Sequence, residues 1–561
     1  MANSTGAPSL AVLGSDILSL VLDDLFCELS RQDFYSLAVV DKSFHQGIKR
    51  FRGRYQDFHF GRIPGPSIAR FTRQHIQDLL EAPKEKSVVS NIRHITITSD
   101  FESEDDEAWE IPCLGSLKIQ GKWVELMRLL AAIPKLHSFV FKVFEPIPSF
   151  LVHQLDRYHP TARLEIHNWT RHSDDRDHTD HCEIALSKSL NLRSIHADLW
   201  ASEYDVDLRM PALMRIMSLA PNLEQLKIRG EKVSNSAFPL FAAPSPEEKH
   251  DRAAQFMFDN HPKSTIKSIK LLGDDYLTVL NRSVDFSFVE SLHIDERQRL
   301  WEVLDIGGAT FDRLRNLTIE YHKPSGRSDA RIISSIDSFL LSCRHLESLE
   351  IVESTAHNLD CRKIIKYHGT SLKRLALFDN TNSQPNRSTV VGQPCSVFST
   401  LESMRYFCPD LEDIGINAHP TRDGSLDPVT LSMIAGFAPL QILRLRCAFP
   451  FEMNRGYDSS ETSIESYGTK FRATSGGWIV NLWFFIQARR NENGFKPVKE
   501  VHLMYPEHIR TSLGPRSFSL DIVTASERDD RPDEIMVKGN IPGSKETTRR
   551  MLRRSVTVEK K

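Results

Sequence analysis

A short pattern, apolar-x-x-apolar-x-apolar, recurs along most of this chain and limits what it can fold into. It reads IRHITI from Ile92, LGSLKI from Leu114, LHSFVF from Leu136, LRSIHA from Leu192, LEQLKI from Leu223 and IKSIKL from Ile266. It continues as VESLHI from Val289, LRNLTI from Leu314, LESLEI from Leu346, LKRLAL from Leu372, LEDIGI from Leu411, LQILRL from Leu440 and VKEVHL from Val498, with a weaker copy, TARLEI, from Thr161. Large apolar residues are about 30% of the chain, which gives roughly three such triples by accident, and nine satisfy the pattern fully. The thirteen copies from Ile92 to Leu440 lie about 29 residues apart on average, in steps of 22 to 43.

Most copies follow a helical pattern and a break. WVELMRLLAAIPK (123–135), LMRIMSLAPN (213–222), SIDSFLLSCRH (335–345), RKIIKYHGTS (362–371), TLESMRYFCPD (400–410) and LSMIAGFAP (431–439) each precede a copy. Leu126, Leu129, Leu130 and Ile133 show the spacing of one helix face, and Pro134, Pro221, Pro409 and Pro439 end the helices. One strand and one helix cannot bury their apolar faces alone. Stacked copies can, with the strands in a parallel sheet and the helices in a second layer. The fold class is therefore α/β. The two apolar residues of each final apolar-x-apolar point into the core, and those between them face an open, concave side. The array is expected over 88–505, with insertions near 170–182, 232–262, 379–398 and 452–477. A helical linker over 61–87 precedes it, and a polar, partly disordered tail over 506–561 follows it. The long, irregular spacing and the helix ending ahead of C/P-x-L-x-x-L-x-L resemble the leucine-rich repeat, which implies a solenoid with strands on the concave face and helices on the convex one. The Asn or Cys that usually follows the strand in that family is missing here.

Composition narrows the function. Seventy-one basic against 74 acidic residues in 561 leave a charge of −3, so nothing global points to nucleic acid or membrane. Eight cysteines include no C-x-x-C pair and read as reduced, intracellular thiols. The start, MANSTGAPSLAVLGSD, lacks the features of a signal peptide. The most apolar run, WIVNLWFFI over Trp478–Ile486, is too short for a bilayer that needs about 20 residues, and reads as a buried helix. RHSDDRDHTDHC (171–182) is rich in metal-ligand types without a metal-site spacing, and reads as a solvated loop. GSLKIQGK (115–122) imitates a P-loop, one residue too long and with Trp123 where a Ser or Thr is needed. Arg549, Arg550, Arg553 and Arg554 read as part of a solvated tail. No catalytic residue, metal or cofactor is expected.

The N-terminus is different. Leu13, Ile17, Leu18, Val21, Leu22 and Leu25 form an apolar helical stripe that starts behind Ser15, a candidate N-cap. Phe34, Leu37, Ala38 and Val40 begin a second helix, and Phe44 and Ile48 mark a third cluster. Three short helices over 10–60, behind a disordered 1–9, bury little surface and need a partner or a neighbouring domain. Leu13-Gly14-x-Asp16-Ile17-Leu18-x-x-Val21, Leu25 and Asp33-Phe34-x-x-Leu37-x-x-Val40-Asp41-Lys42-x-Phe44 resemble the F-box. Gly14 stands where that family has Pro, and Asp41 where it has Ser. The resemblance implies docking on the Skp-type adaptor of a cullin-RING ubiquitin ligase. Leu13, Gly14, Ile17, Leu18, Val21 and Leu25 would contact the adaptor, while Phe34, Leu37, Val40 and Phe44 would hold the helices together. An N-terminal F-box ahead of leucine-rich repeats, in this irregular form, resembles the substrate receptors of the large fungal F-box groups. That implies a non-enzymatic, cytoplasmic or nuclear protein that binds an adaptor and a protein target, without nucleic acid or membrane. The alternative is a leucine-rich-repeat scaffold whose N-terminal helices only cap the stack.

The concave positions expected to meet a target are Lys227, Arg229, Lys270, His293, Glu320, Glu350, Arg374, Phe378, Arg444 and Arg446. Their mixed charges suit a protein or peptide.

Overall fold

The computed structural model describes residues 54–504 apart from 61–67, 82–85, 100–115, 144–145, 170–179, 202–208, 233–261, 273–276, 282, 297–309, 322–329, 354–360, 380–394, 419–427 and 448–481, together with the backbone of 523–528, 531–539 and 548–553. The chain divides into two compact units, one reaching Ile266 and including Arg282–Val284, the other comprising Lys267–Asn281 and the residues from Asp285 on.

The first unit holds six parallel strands: β1 Tyr55–His59, β2 His94–Thr98, β3 Ser138–Lys142, β4 Arg163–Trp169, β5 Leu192–Ala201 and β6 Gln225–Lys232, each paired with the next. The second holds eight more: β7 Ser268–Leu272, β8 Ser291–Glu296, β9 Asn316–Tyr321, β10 Ser348–Glu353, β11 Arg374–Asp379, β12 Asp413–Ala418, β13 Ile442–Cys447 and β14 Glu500–Met504. Three antiparallel strands follow, β15 Val523–Arg528, β16 Arg531–Gly539 and β17 Thr548–Arg553. Parallel neighbours need a crossover, and helices supply most of them. In the first unit Ser116–Ala132, Ser149–Tyr158, His181–Lys188 and Arg209–Leu219 pack each on the next. In the second, Ala330–Ser342, Cys361–His368, Cys395–Phe407 and Pro428–Ala435 do the same. Among the described residues no helix is long and apolar enough to cross a membrane.

The core lies where the repeat places it. Ile95 and Ile97, Phe139 and Phe141, Leu226 and Ile228, Leu292 and Ile294, Leu349 and Ile351, and Leu443 and Leu445 are all buried. So are the leading apolar residues of the described copies, such as Leu136, Leu314, Leu346, Leu411 and Val498. Between leading residue and strand runs a shared rung. The Lys267 carbonyl accepts the N–H groups of Glu290 and Ser291 at 2.8 and 3.0 Å, and the Glu290 carbonyl those of Arg315 and Asn316 at 2.9 and 3.0 Å. The same pair of bonds repeats from Arg315, Glu347, Lys373, Glu412 and Gln441. Each rung carries a charge opposite to the last from Lys267 to Glu412. Glu347 sits 3.4 Å from both Arg315 and Lys373.

Helix ends are satisfied by the following repeat. The last carbonyls of a helix have no partner within it. His159, just past one helix, donates from Nε2 to the Leu130 carbonyl of the helix before, at 2.8 Å. His368 donates from Nε2 to the Leu340 carbonyl at 2.9 Å and accepts the Leu346 N–H at Nδ1 at 3.5 Å. In the helix over 482–492, Arg490 is wholly buried and donates to the carbonyls of Phe437 at 2.6 Å, Ala438 at 3.0 Å and Lys496 at 2.6 Å. Burial holds both imidazoles below the ordinary histidine pKa. The unfolded chain therefore takes up protons that the folded chain refuses, and stability is lost as pH falls below about 6.5. Melting midpoints measured from about pH 7.5 down to about pH 5 are expected to fall. His159→Gln with His368→Gln, which keeps a donor without the titration, is expected to fall less over the same range. An equal fall would assign the effect to other groups.

Several expectations need correction. LGSLKI at Leu114 forms no strand, because Ser116–Ala132 is one helix. β2 and β3 pair directly and leave no room for a strand between them, whereas Trp123, Leu126, Leu129, Leu130 and Ile133 bury a helical stripe. The P-loop look-alike is part of that helix from Ser116 on. The described strands start at Tyr55, inside the segment assigned to the N-terminal helical domain, where β1 pairs with β2 and Phe58 and Phe60 are buried. The linker helix Ile68–Glu81 packs on Ser116–Ala132 and so belongs to the helical layer. The weak copy at Thr161 is a full strand, β4. The His- and Asp-rich insertion ends in a helix cap, with the Asp180 carboxylate accepting the Cys182 N–H at 2.8 Å. The polar tail carries β15–β17, whose pairing continues from β14.

Candidate functional site

The outward positions of consecutive strands make a polar face on each unit. In the second unit, Arg444 on β13 lies flat along that face. Its Nε and Nη2 meet the two carboxylate oxygens of Asp413 on β12 at 2.9 and 3.0 Å. Its Nη1 reaches Glu350 on β10 at 2.9 Å. The side chain crosses two strands to do so. Register sets Gly415 of β12 opposite Arg444 and Ala376 of β11 opposite both Gly415 and Glu350. Small residues at these two positions leave the trough in which the guanidinium lies. A Cβ on Gly415 would stand 2.5 Å from the Ala376 methyl and 2.7 Å from the Phe378 ring. The two carboxylates raise the Arg444 pKa against the opposing effect of its burial.

His293 on β8 faces Glu320 on β9 at 3.2 Å. Arg374 donates to the Asn316 side chain, two strands away, at 3.1 Å. Lys270 lies opposite His293, and Arg446 opposite Asn417. Thus Glu350 and Arg444 are brought together, as are His293 and Glu320. Phe378 needs correction as a contact residue. It lies on the expected face but is wholly buried with Ala376 and Val352. Asp413 and Gly415 were missed, although the alternation that picks out Glu350 and Arg444 applies equally to LEDIGI.

The first unit's face holds Lys227, which is half-buried and opposite His196, and Arg229, which is exposed. The His167 and His196 rings lie 4.0 Å apart on neighbouring strands. Glu165 approaches His167 at 4.0 Å. Its bond to His167 holds the carboxyl below the usual range, against its partial burial. Tyr55 stacks on His94 at 4.3 Å, and His94 bonds Ser138 at 2.8 Å. His167 was missed because β4 comes from the weakest copy and its register on β5 is irregular, whereas His196, between the last two positions of LRSIHA, was open to the alternation that picked out Lys227. Asn168, at φ 58°, takes the left-handed conformation within that stretch.

Among the described residues no group of three or more His, Cys, Asp or Glu is placed to hold a metal ion. Leu13, Gly14, Ile17, Leu18, Val21 and Leu25, and likewise Phe34, Leu37, Val40 and Phe44, lie outside the described residues. Compared with the family models and with the curated proteins, the chain matches none.

Proposed function

We propose that this chain is the substrate-recognition subunit of a cullin-RING ubiquitin ligase. Its F-box-like N-terminus would hold the Skp-type adaptor, and its strand–helix array, read as irregular leucine-rich repeats, would hold a protein target. The observation that carries this reading is the union in one chain of the F-box-like pattern from Leu13 to Phe44 with a repeating array that turns polar faces outward. The chain would contribute proximity. Holding a target beside the charged conjugating enzyme raises the effective concentration of its lysines, which needs no catalytic group here.

One observation favours a scaffold without a ligase role. β1 starts at Tyr55, inside the stretch over 10–60 that the sequence reads as helical, as it would behind a cap that covers this strand. A pull-down of purified Skp-type adaptor separates the two readings. The full chain is expected to retain the adaptor, and Leu18→Asp with Leu25→Asp to lose about tenfold or more in affinity, because two charges would enter an apolar interface. Retention by a folded double variant, or no binding by the parent, would leave the scaffold.

A further inference from the structure

We infer that the outward face of the first unit, along the row Lys142, His167, His196 and Lys227, receives an acidic peptide segment of the target. This deepens the reading above and rests on it for the word target.

Four successive strands place one cationic or cationisable group each at the same level. Thr98 of β2 pairs with Lys142 of β3. Phe141 pairs with Ile166, which sets His167 of β4 next in line, and the His167 and His196 rings are 4.0 Å apart. His196 of β5 pairs with Lys227 of β6. Strands stand about 4.8 Å apart, so the row extends roughly 14 Å. Glu165, beside the row, approaches His167 at 4.0 Å, and Arg163 next to it faces Glu224 at 3.5 Å.

Like charges set in a row oppose one another and weaken the fold that holds them, which an anionic partner would relieve. His196 feels this directly. Burial first, then His167, Lys227 and Lys142, against the opposing pull of Glu165, hold it down at about 4. A carboxylate in the row would raise it, so binding would favour the protonated ring. A peptide suits the row better than a nucleic acid. Glu165 and Asp57 interrupt the face, and Tyr55 on it is already stacked on His94.

The test uses the full chain and a fluorescein-labelled peptide of alternating Glu and Ser, read by anisotropy, with a Lys/Ser peptide and single-stranded oligo-dT as counter-probes. The Glu/Ser peptide is expected to bind, and Lys142→Gln with Lys227→Gln to weaken it about tenfold. Lys142→Arg with Lys227→Arg is expected to keep the affinity, which guards against a folding defect. Lys188→Gln with Lys366→Gln, in the last turns of two helices away from the strands' outward positions, is expected to change nothing. Absent binding, affinity unchanged in the Gln pair, or tighter binding of oligo-dT through the same lysines would each overturn the inference. The adaptor pull-down is independent of these lysines, so failure here would leave the ligase reading standing.

Discussion

Gly369→Ala is expected to destabilise the second unit by about 3 kcal/mol or more, by forcing apart atoms that cannot yield. Gly369 follows the helix Cys361–His368 where the next helix, Cys395–Phe407, ends against it. A Cβ there would stand 2.4 Å from the Ile365 carbonyl oxygen and 2.5 Å from that of Phe407. Both are backbone atoms, so no rotamer change relieves the clash. The damage would spread, since His368 next to it holds the Leu340 carbonyl of the preceding helix. Two other glycines calibrate the effect. At Gly436 the nearest atom to an added Cβ is 3.1 Å away, and an alanine there should cost under about 1 kcal/mol. At Gly494 an added Cβ meets nothing, but φ is +70°, so alanine should cost about 1 kcal/mol from backbone conformation alone. Urea unfolding followed by tryptophan fluorescence, with Trp483 buried in the same unit, would measure all three. Equal losses at 369 and 494 would show that the helix ends move apart freely.

That contact also marks the limit of sequence reading in this chain. The inward residues were legible because apolar-x-apolar is a strand period and the count exceeded chance. Every copy with both inward residues large, from Ile92 to Val498, gives a strand except that at Leu114, where SLKI runs into a longer helical stripe. Local triples cannot tell a strand from the first turn of a helix; only the pairing of β2 with β3 decides it. β1 was hidden by a likeness that assigned Tyr55–His59 to the preceding segment. β15–β17 were hidden by composition, because polar antiparallel strands carry little apolar signal. On the outward faces, alternation told which residues face out, but not which ones touch. Glu350 and Arg444 are 94 residues apart, and only the register of β10 to β13 brings them to 2.9 Å. Phe378 has the right parity and still lies buried, since burial on that face depends on neighbours in other strands.

Arg444→Met is expected to cost the second unit about 3 kcal/mol, comparable to Gly369→Ala but for an electrostatic reason. Removing the cation leaves the Asp413 carboxylate, whose side chain is 9% exposed, and the Glu350 carboxylate, at 23%, without the charge that both contact. Breaking a buried pair from one side costs more than the pair itself contributes, because the stranded charge is still desolvated. Arg444→Lys should recover only part of the loss, since a point charge cannot take both oxygens of Asp413 and reach Glu350. The combination Arg444→Met, Asp413→Asn, Glu350→Gln should recover most of it, because no charge is then stranded. A triple variant as unstable as Arg444→Met alone would mean that the guanidinium acts by filling the trough over Gly415 and Ala376. The experiment also bears on target binding. A residue held by three hydrogen bonds to two carboxylates on its own surface is first a clamp across β10–β13. If Arg444 variants weakened a target while melting normally, Arg444 would be a contact; if binding and melting fell together, the clamp would be what presents the face.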